Sequence, residues 1–132
     1  MTLEPDFLSV EEVLSLHVEQ LDRFGGSAGV REEGLLESAV MTPQASFGGE
    51  YVHKGLFEMA AAYAFHIAEN QPFIDGNKRT GLASALVFLG MNGFEVPDPG
   101  GALYGAMIDL SARRMDKAGM ARLLESLAQP TG

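Results

Sequence analysis

The residues best suited to chemistry stand together in one stretch, residues 70–80, which reads NQPFIDGNKRT. It contains a carboxylate (Asp75), an amide (Asn77) and two successive cations (Lys78 and Arg79). A carboxylate can hold Mg²⁺ through oxygen, and amides and cations can donate hydrogen bonds to phosphate oxygens. The stretch therefore predicts a binding site for a polyphosphate that carries a metal ion.

The same stretch lies where one helix should end and the next begin. Pro72 disfavours helical dihedral angles at the residue before it, which ends the apolar run of residues 56–70. Apolar residues recur at helical spacing again over residues 78–92, so Gly76 falls at the start of a new helix. A helix N-terminus favours an anion by about 0.3–1 kcal/mol and disfavours cations, so two cations there indicate an anionic ligand.

Each of these residues also has a simpler explanation. Asp75 or Asn77 would cap the helix, Gly76 would form the turn, and the two cations would be solvated. A degenerate P-loop of a nucleoside triphosphatase is a further alternative. The glycine and the preceding buried strand that such a loop requires are both missing, which disfavours it.

Taken in order, the stretch resembles the motif of the Fic/Doc superfamily. In that motif a histidine two residues before a phenylalanine is followed by an acidic residue, a small residue, Asn, a small residue or Lys, and Arg. The ending Lys78-Arg79-Thr80 resembles the Doc (death-on-curing) branch. The resemblance covers roughly residues 8–127, and the other segments that resemble Doc-type proteins are residues 16–17, 23–26, 29–31, 46–49 and 83–93.

One position departs from that motif, because Gln71 stands where the family has its histidine. In the family this histidine is understood to take the proton of a target hydroxyl as the hydroxyl attacks a nucleotide phosphate. A glutamine amide can hydrogen-bond the hydroxyl but does not accept its proton near neutral pH. Losing a positioned base costs about 10²- to 10⁴-fold in rate, so we expect impaired transfer and intact nucleotide binding.

The chain has three histidines, and none is expected to replace the missing base. His66 lies within a densely apolar helix, where a hydrogen-bonded core histidine is the common case. His17 is expected in the middle of a helix, with a structural role. His53 follows Tyr51 in a short connection, and nothing in its spacing indicates catalysis.

The resemblance implies a transferase that moves a phosphoryl group or AMP from ATP, with Mg²⁺, to a Ser, Thr or Tyr hydroxyl of a protein. The site residues it implies are Gln71, Asp75, Lys78 and Arg79 for catalysis, Asp75 for Mg²⁺, and Phe73, Gly76, Asn77, Lys78 and Arg79 for the nucleotide. The alternative is a catalytically inactive protein of the same fold that binds a nucleotide or regulates a partner.

For the Doc branch, the resemblance implies that the target is elongation factor Tu and that the chain is the toxin of a toxin–antitoxin pair. The sequence contains no pattern typical of a self-inhibitory helix, so an antitoxin peptide is expected to bind in trans. Leu8, Val10 and Val13 would either receive this peptide or pack in the core.

Residues 44–54 have no helical period, and Gly48-Gly49 between Phe47 and Tyr51 predicts a bent pair of short strands. By itself such a segment is typical of a glycine-rich loop. In the resembling family this region is a flap that holds the target peptide by strand addition. We therefore expect Phe47, Gly48, Gly49 and Tyr51 to form a flap beside the phosphate site.

Composition limits the class of protein. A length of 132 residues suits a single domain, predicted over residues 1–132 with frayed ends at 1–7 and 128–132. The chain has no cysteine, no charged-then-apolar leader and no apolar run of about 18 residues, so a soluble cytoplasmic protein without a membrane segment is expected. A net charge of −9 and a pI near 4.6 argue against a nucleic-acid partner.

Helical periodicity predicts an all-α fold, a compact Fic-type bundle of about six helices with the short β-like flap before the central pair. A capping box, Ser9 with Glu12, should begin the first helix. The predicted helices cover residues 9–24, 34–41, 56–70, 78–92, 102–112 and 116–127.

Overall fold

The computed structural model describes residues 4–131 as six α-helices and two pairs of short antiparallel strands. The helices are α1 (Val10–Phe24), α2 (Glu33–Met41), α3 (Leu56–Asn70), α4 (Asn77–Met91), α5 (Ala102–Ser111) and α6 (Lys117–Leu127). The strands are β1 (Ser46–Phe47), β2 (Glu50–Tyr51), β3 (Phe94–Glu95) and β4 (Gln129–Pro130), and 3₁₀ turns lie at Thr42–Gln44 and Pro99–Gly101. The predicted all-α class and the strand pair between α2 and α3 are confirmed. No helix in this part of the chain is long and apolar enough to cross a membrane.

Helix α1 begins with the capping box that the sequence predicts. The Ser9 hydroxyl accepts a hydrogen bond from the Glu12 N–H at 3.1 Å, and the Glu12 carboxylate accepts one from the Ser9 N–H at 2.9 Å. The helix ends at Gly25, whose φ of 80° is easy only for glycine. Both ends of α1 are therefore defined by local chemistry. His17, in the middle of this helix, is buried and contacts the loop that follows α3.

Helix α3 forms the centre of the core, with every residue from 59 to 64 buried. Most of these residues are alanines, so the backbone of α4 can approach closely. A Cβ atom on Gly81 of α4 would lie 2.9 Å from the backbone oxygen of Ala64, which is closer than real Cβ contacts allow. The rings of Tyr63 on α3 and Phe88 on α4 also pack together, with centroids 5.2 Å apart. The loop 71–76 therefore joins two helices whose backbones are in close contact.

The described ends of the chain are packed, whereas the sequence led us to expect frayed segments. Phe7 packs against Tyr51 and Phe88 with ring centroids 5.6 Å and 5.8 Å away, and Asp6 exchanges two backbone hydrogen bonds with the Asn92 side chain. Strand β4 pairs with β3. Apolar burial at one end and backbone pairing at the other explain the difference. Residues 1–3 and 132 lie outside the described part of the chain.

Candidate functional site

The loop between α3 and α4 starts at Gln71, which caps α3 in the left-handed conformation with φ 47° and ψ 56°. This conformation costs a residue other than glycine about 1–2 kcal/mol, so the surroundings must hold it. Arg31 does so by donating from Nε to the Gln71 carbonyl at 2.8 Å and from Nη2 to the Asn70 carbonyl at 3.0 Å. The bonds use only the backbone of Gln71, so its exposed side chain is left for a ligand.

Phe73 anchors the middle of the loop. Its ring is 1% exposed and stacks on His17, with centroids 3.8 Å apart and planes within 5°. The Asn77 amide bonds both backbone groups of Phe73, accepting from its N–H and donating to its carbonyl, each at 3.0 Å. The sequence assigned both residues to nucleotide contact, but in the structure they hold the loop. One N–H of the Asn77 amide remains for a ligand.

His17 supports the same loop from below. Its Nε2 lies 2.8 Å from the Asp75 carbonyl oxygen, which can only accept, so Nε2 carries the proton and donates. A Cβ atom at Gly76 would lie 3.5 Å from the His17 ring, and Gly76 itself has φ 80°. The predicted structural role of His17 agrees with this burial and hydrogen bond.

The Asp75 carboxylate is oriented by two backbone N–H groups. Its Oδ1 accepts from Gly76 at 3.0 Å and its Oδ2 from Ser27 at 3.2 Å. Each oxygen keeps a lone pair, and Mg²⁺ is commonly bound through one or two carboxylates together with substrate phosphates. Within residues 4–131 no group of three His, Cys, Asp or Glu side chains is arranged for a metal ion, and a Mg²⁺ ion at Asp75 would take its other ligands from phosphate oxygens and water.

Helix α4 starts without a side-chain cap. Its N-cap residue is Gly76, and its first intrahelical bond runs from the Thr80 N–H to the Gly76 carbonyl at 3.0 Å. The three preceding N–H groups of the helix therefore have no intrahelical acceptor. No acidic residue lies in this first turn, and Lys78 is exposed there. An uncapped, positively charged helix start fits an anion.

Arg79 is clamped between two aromatic rings. Its guanidinium carbon lies 3.7 Å from the centroid of Phe24 on α1 and 4.0 Å from the centroid of Tyr104 on α5. Both rings contact the guanidinium, and its N–H donors have no protein acceptor among the described residues. Sequence patterns could not reveal this clamp, because its three members come from three separate helices. The exposed Phe24 beside Gly25 is its only local sign.

These elements enclose a polar cavity of about 310 Å³. Its walls are Ala68, Glu69, Gln71, Ile74, Asp75, Gly76, Asn77, Lys78, Tyr104 and Ser111. Of the residues predicted for catalysis and nucleotide binding, the cavity gathers Gln71, Asp75, Gly76, Asn77 and Lys78, whereas Phe73, Arg79 and the predicted flap residues do not line it. Glu69, Tyr104 and Ser111 were not predicted. The Ser111 hydroxyl is buried and has no hydrogen-bond partner within residues 4–131.

The segment that borders this loop comes from the connection between α1 and α2. Val30 and Phe73 form an antiparallel bridge. The Arg31 N–H donates to the Pro72 carbonyl at 2.6 Å, and the Ile74 N–H donates to the Gly29 carbonyl at 3.1 Å. Residues 29–31 thus run alongside the loop and pair with it through a single β-bridge and its flanking backbone hydrogen bonds.

Comparisons with known proteins identify the family. The model of the Fic/DOC family matches residues 7–89. This chain belongs to the Fic/DOC family. It is 40% identical over 91 residues to the protein kinase doc of Escherichia phage P1, which is 69% of this chain and 71% of that protein. It is 44% identical over 73 residues to the toxin Doc of Mycolicibacterium smegmatis, which is 55% of this chain and 56% of that protein.

The hairpin β1–β2, expected to be the flap of this Fic/DOC chain, is not beside the loop. It precedes α3, whereas the loop follows α3, and a 15-residue helix is about 22 Å long. Tyr51 instead packs on Phe7 and its hydroxyl bonds Glu4. Phe47, Gly48 and Gly49 are exposed at that same far end. The predicted proximity is therefore corrected, and the loop is bordered by residues 29–31 instead.

The other two histidines lie outside the cavity, in a cluster with Lys117 at the start of α6. The Lys117 Nζ lies 3.1 Å from Nε2 of His66 and 3.4 Å from Nε2 of His53. Burial lowers the pKa of His66 to about 4, and the charges of Lys117 and His53 act in the same direction. Burial, followed by Lys117, also lowers the pKa of His53. Both imidazoles are thus neutral at neutral pH, and neither reaches the cavity.

Proposed function

We propose that this chain is a Doc-like phosphotransferase scaffold that binds Mg²⁺ and ATP in the cavity between α3 and α4. The observation that carries the proposal is the uncapped start of α4, with Lys78 in its first turn and the Asp75 carboxylate beside it. The acceptor would be a Ser, Thr or Tyr hydroxyl of a protein. Transfer of a phosphoryl group rather than AMP is favoured because a 40% identical relative is named a protein kinase.

The cavity residues fit such a ligand. When bound, Mg²⁺ and ATP would supply neutralised phosphate charge and the phosphoryl group. The free N–H groups of α4 and Lys78 would hold phosphate oxygens, Asp75 would bind the metal, and the buried Ser111 hydroxyl would gain a partner. Arg79 would present its in-plane donors from the clamp formed by Phe24 and Tyr104.

Gln71 limits the rate in this proposal. Its side chain stands at the cavity wall, in the place that the resemblance gives to a histidine. It would hydrogen-bond the acceptor hydroxyl and orient it, but it would leave the proton on the hydroxyl. Phosphoryl transfer depends mainly on positioning and charge stabilisation, so a slow reaction remains feasible. The alternative function is a nucleotide-binding or regulatory protein without transfer, and Gln71 is the observation that favours it.

An extended target peptide would bind along residues 29–31. The Gly29 carbonyl and the Arg31 N–H face the loop, so the N–H and carbonyl of Val30 point the other way. In the described part of the chain they pair with no other backbone group. An open strand edge beside a phosphate site can add a peptide strand and bring its hydroxyl to the cavity.

We also propose the toxin role and its partners. One relative is named toxin Doc, and the resemblance points to elongation factor Tu as target and to an antitoxin peptide bound in trans. Leu8 and Val13 are 2% and 0% exposed, so they belong to the core and would not receive that peptide.

Titration calorimetry with Mg²⁺ and ATP tests the phosphate site. Lys78→Met should weaken binding at least about 10-fold, because a charge-assisted hydrogen bond is worth about 1.5–3 kcal/mol. Lys54→Met is the matched control, since Lys54 is an exposed lysine near the hairpin and should leave binding unchanged. Absence of ATP binding by the unsubstituted chain would refute the proposed site.

Gln71→His tests the transferase role. The rate at which the variant incorporates the γ-phosphate of ATP into proteins of a bacterial lysate should be at least that of the unsubstituted chain, and up to about 10⁴-fold higher if no other group takes the proton. Mass spectrometry would identify the modified protein and the transferred group. If ATP binds but this variant modifies nothing, the nucleotide-binding alternative is the better description.

A further inference from the structure

Glu69 is the ionisable carboxylate of the cavity wall that neither the sequence nor the family resemblance assigns. It lies in the last turn of α3, two residues before Gln71, and forms part of the same wall. The wall also carries Asp75 and Lys78, so the Glu69 carboxylate borders the same cavity as the proposed phosphate site.

Arg113 orients the Glu69 carboxylate. Its Nη2 donates a hydrogen bond to Oε1 of Glu69. Arg113 follows α5 and has a left-handed backbone conformation, with φ 61°. Such a conformation is uncommon for arginine and marks a position fixed by its surroundings. Within residues 4–131 no donor bonds the second oxygen, Oε2. One oxygen is therefore held while the other is left to accept a proton, which is the arrangement of a general base with its orienting group.

The other basic groups near the loop are already engaged. Both oxygens of Asp75 accept backbone hydrogen bonds, and this carboxylate is the one suited to the metal. His17 is 4% exposed and donates its Nε2–H to the loop backbone. His53 and His66 face Lys117 and do not line the cavity.

We propose that Glu69 acts as the general base for phosphoryl transfer, in place of the residue that Gln71 cannot supply. This inference rests on the proposed function. The oxygen of the acceptor hydroxyl forms a bond to the terminal phosphorus of ATP, the bond between that phosphorus and the bridging oxygen breaks, and ADP leaves with the electron pair. The hydroxyl proton passes to Oε2 of Glu69. A carboxylate is sufficient for this step, because protein kinases use an aspartate in the same role.

Glu69→Gln is the direct test, since it keeps the shape of the side chain and the bond to Arg113 but removes the base. In the unsubstituted background it should lower the initial rate of γ-phosphate incorporation into lysate proteins by about 10²- to 10⁴-fold. Its affinity for ATP in calorimetry should stay within about twofold, because Glu69 does not hold phosphate. Glu58→Gln is the matched control. It also replaces a carboxylate of α3, but at the opposite end of the helix, and should leave the rate unchanged.

A second background separates a catalytic role from a structural one. With Gln71→His present, adding Glu69→Gln should cost less than about 10-fold, because the imidazole then takes the proton. The rate of the Gln71→His, Glu69→Gln double variant should fall on acidification through about pH 6.5, where imidazole titrates, whereas the rate of the unsubstituted chain should persist there. Restored activity in the double variant would also show that Glu69→Gln folds.

The outcomes distinguish this inference from the proposed function. If the unsubstituted chain fails to bind ATP, both fail. If it binds ATP but transfers nothing, or if Glu69→Gln transfers at the unsubstituted rate, Glu69 is not the base and the nucleotide site stands. If Glu69→Gln lowers the transfer rate equally in the unsubstituted and the Gln71→His backgrounds, the inference is also overturned. Glu69 would then have a structural role in the cavity.

Discussion

Lowering the pH from about 7 to about 5 is expected to destabilise this fold through His66. In the folded chain burial lowers the pKa of His66 to about 4, with Lys117 and His53 acting in the same direction and Glu69 opposing them. The unfolded chain has an ordinary imidazole near 6.5. Between these values the unfolded state binds more protons, so the stabilisation is present above about pH 6.5 and is lost as the pH falls towards 4.

The magnitude follows from this difference. A shift of one pKa unit corresponds to about 1.4 kcal/mol, so protonation at about pH 5 costs at most about 2 kcal/mol of the free energy of unfolding. The imidazole is only half-buried, and solvent screening reduces this value to about 1 kcal/mol. His53 shifts in the same direction and adds to the loss.

Urea denaturation at about pH 7 and about pH 5 measures this effect. The free energy of unfolding should fall between the two pH values by about 1 kcal/mol less in His66→Gln, whose side chain does not titrate, than in the unsubstituted chain. Lys117→Met should also reduce the loss, because it removes the cation that faces both imidazoles, whereas Lys54→Met should not. An equal loss in His66→Gln and in the unsubstituted chain would refute the assignment to His66.

Two further predictions concern the α3–α4 pair and the clamp on Arg79. Gly81→Ala should lower the free energy of unfolding by about 1–3 kcal/mol in urea denaturation, because its Cβ would press on the α3 backbone. Gly90→Ala in the same helix meets nothing within 4 Å and should be neutral or stabilise by up to about 1 kcal/mol. Tyr104→Ala should weaken ATP binding in calorimetry by about 2- to 30-fold, since a cation–π contact is worth about 0.5–2 kcal/mol. Tyr104→Phe keeps the ring over Arg79 and should bind ATP as the unsubstituted chain does. Equal weakening of ATP binding in both variants would show that the cation–π contact is not the cause.

The helices could be predicted because their limits are set locally. The bounds of α3 match the prediction at both ends, since the apolar run and Pro72 define them within a few residues. The start of α1 likewise follows from its capping box. Short-range rules suffice where the residues that decide an element lie inside or next to it.

The remainder depends on contacts between distant parts of the chain. The clamp joins Phe24, Arg79 and Tyr104 from three helices, and the orientation of Glu69 depends on Arg113, 44 residues away. The pairing of β4 with β3 is of the same kind, which is why the C-terminal segment was expected to fray. Periodicity describes which face of a helix is buried, but not which helix covers it.

The loop combines two sets of residues with different tasks, and this division determines what Gln71 can change. Phe73, Asn77 and the supporting His17 use their side chains on the protein itself, whereas Lys78 and Asp75 line the cavity, with the Asp75 carboxylate oriented there by two backbone N–H groups. At Gln71 the protein uses only the backbone, through the carbonyl that Arg31 bonds. Histidine is among the residues that tolerate a left-handed conformation, so Gln71→His should leave the loop and its stability nearly unchanged. The identity of this one side chain is therefore nearly neutral for the fold, while it decides which group receives the proton.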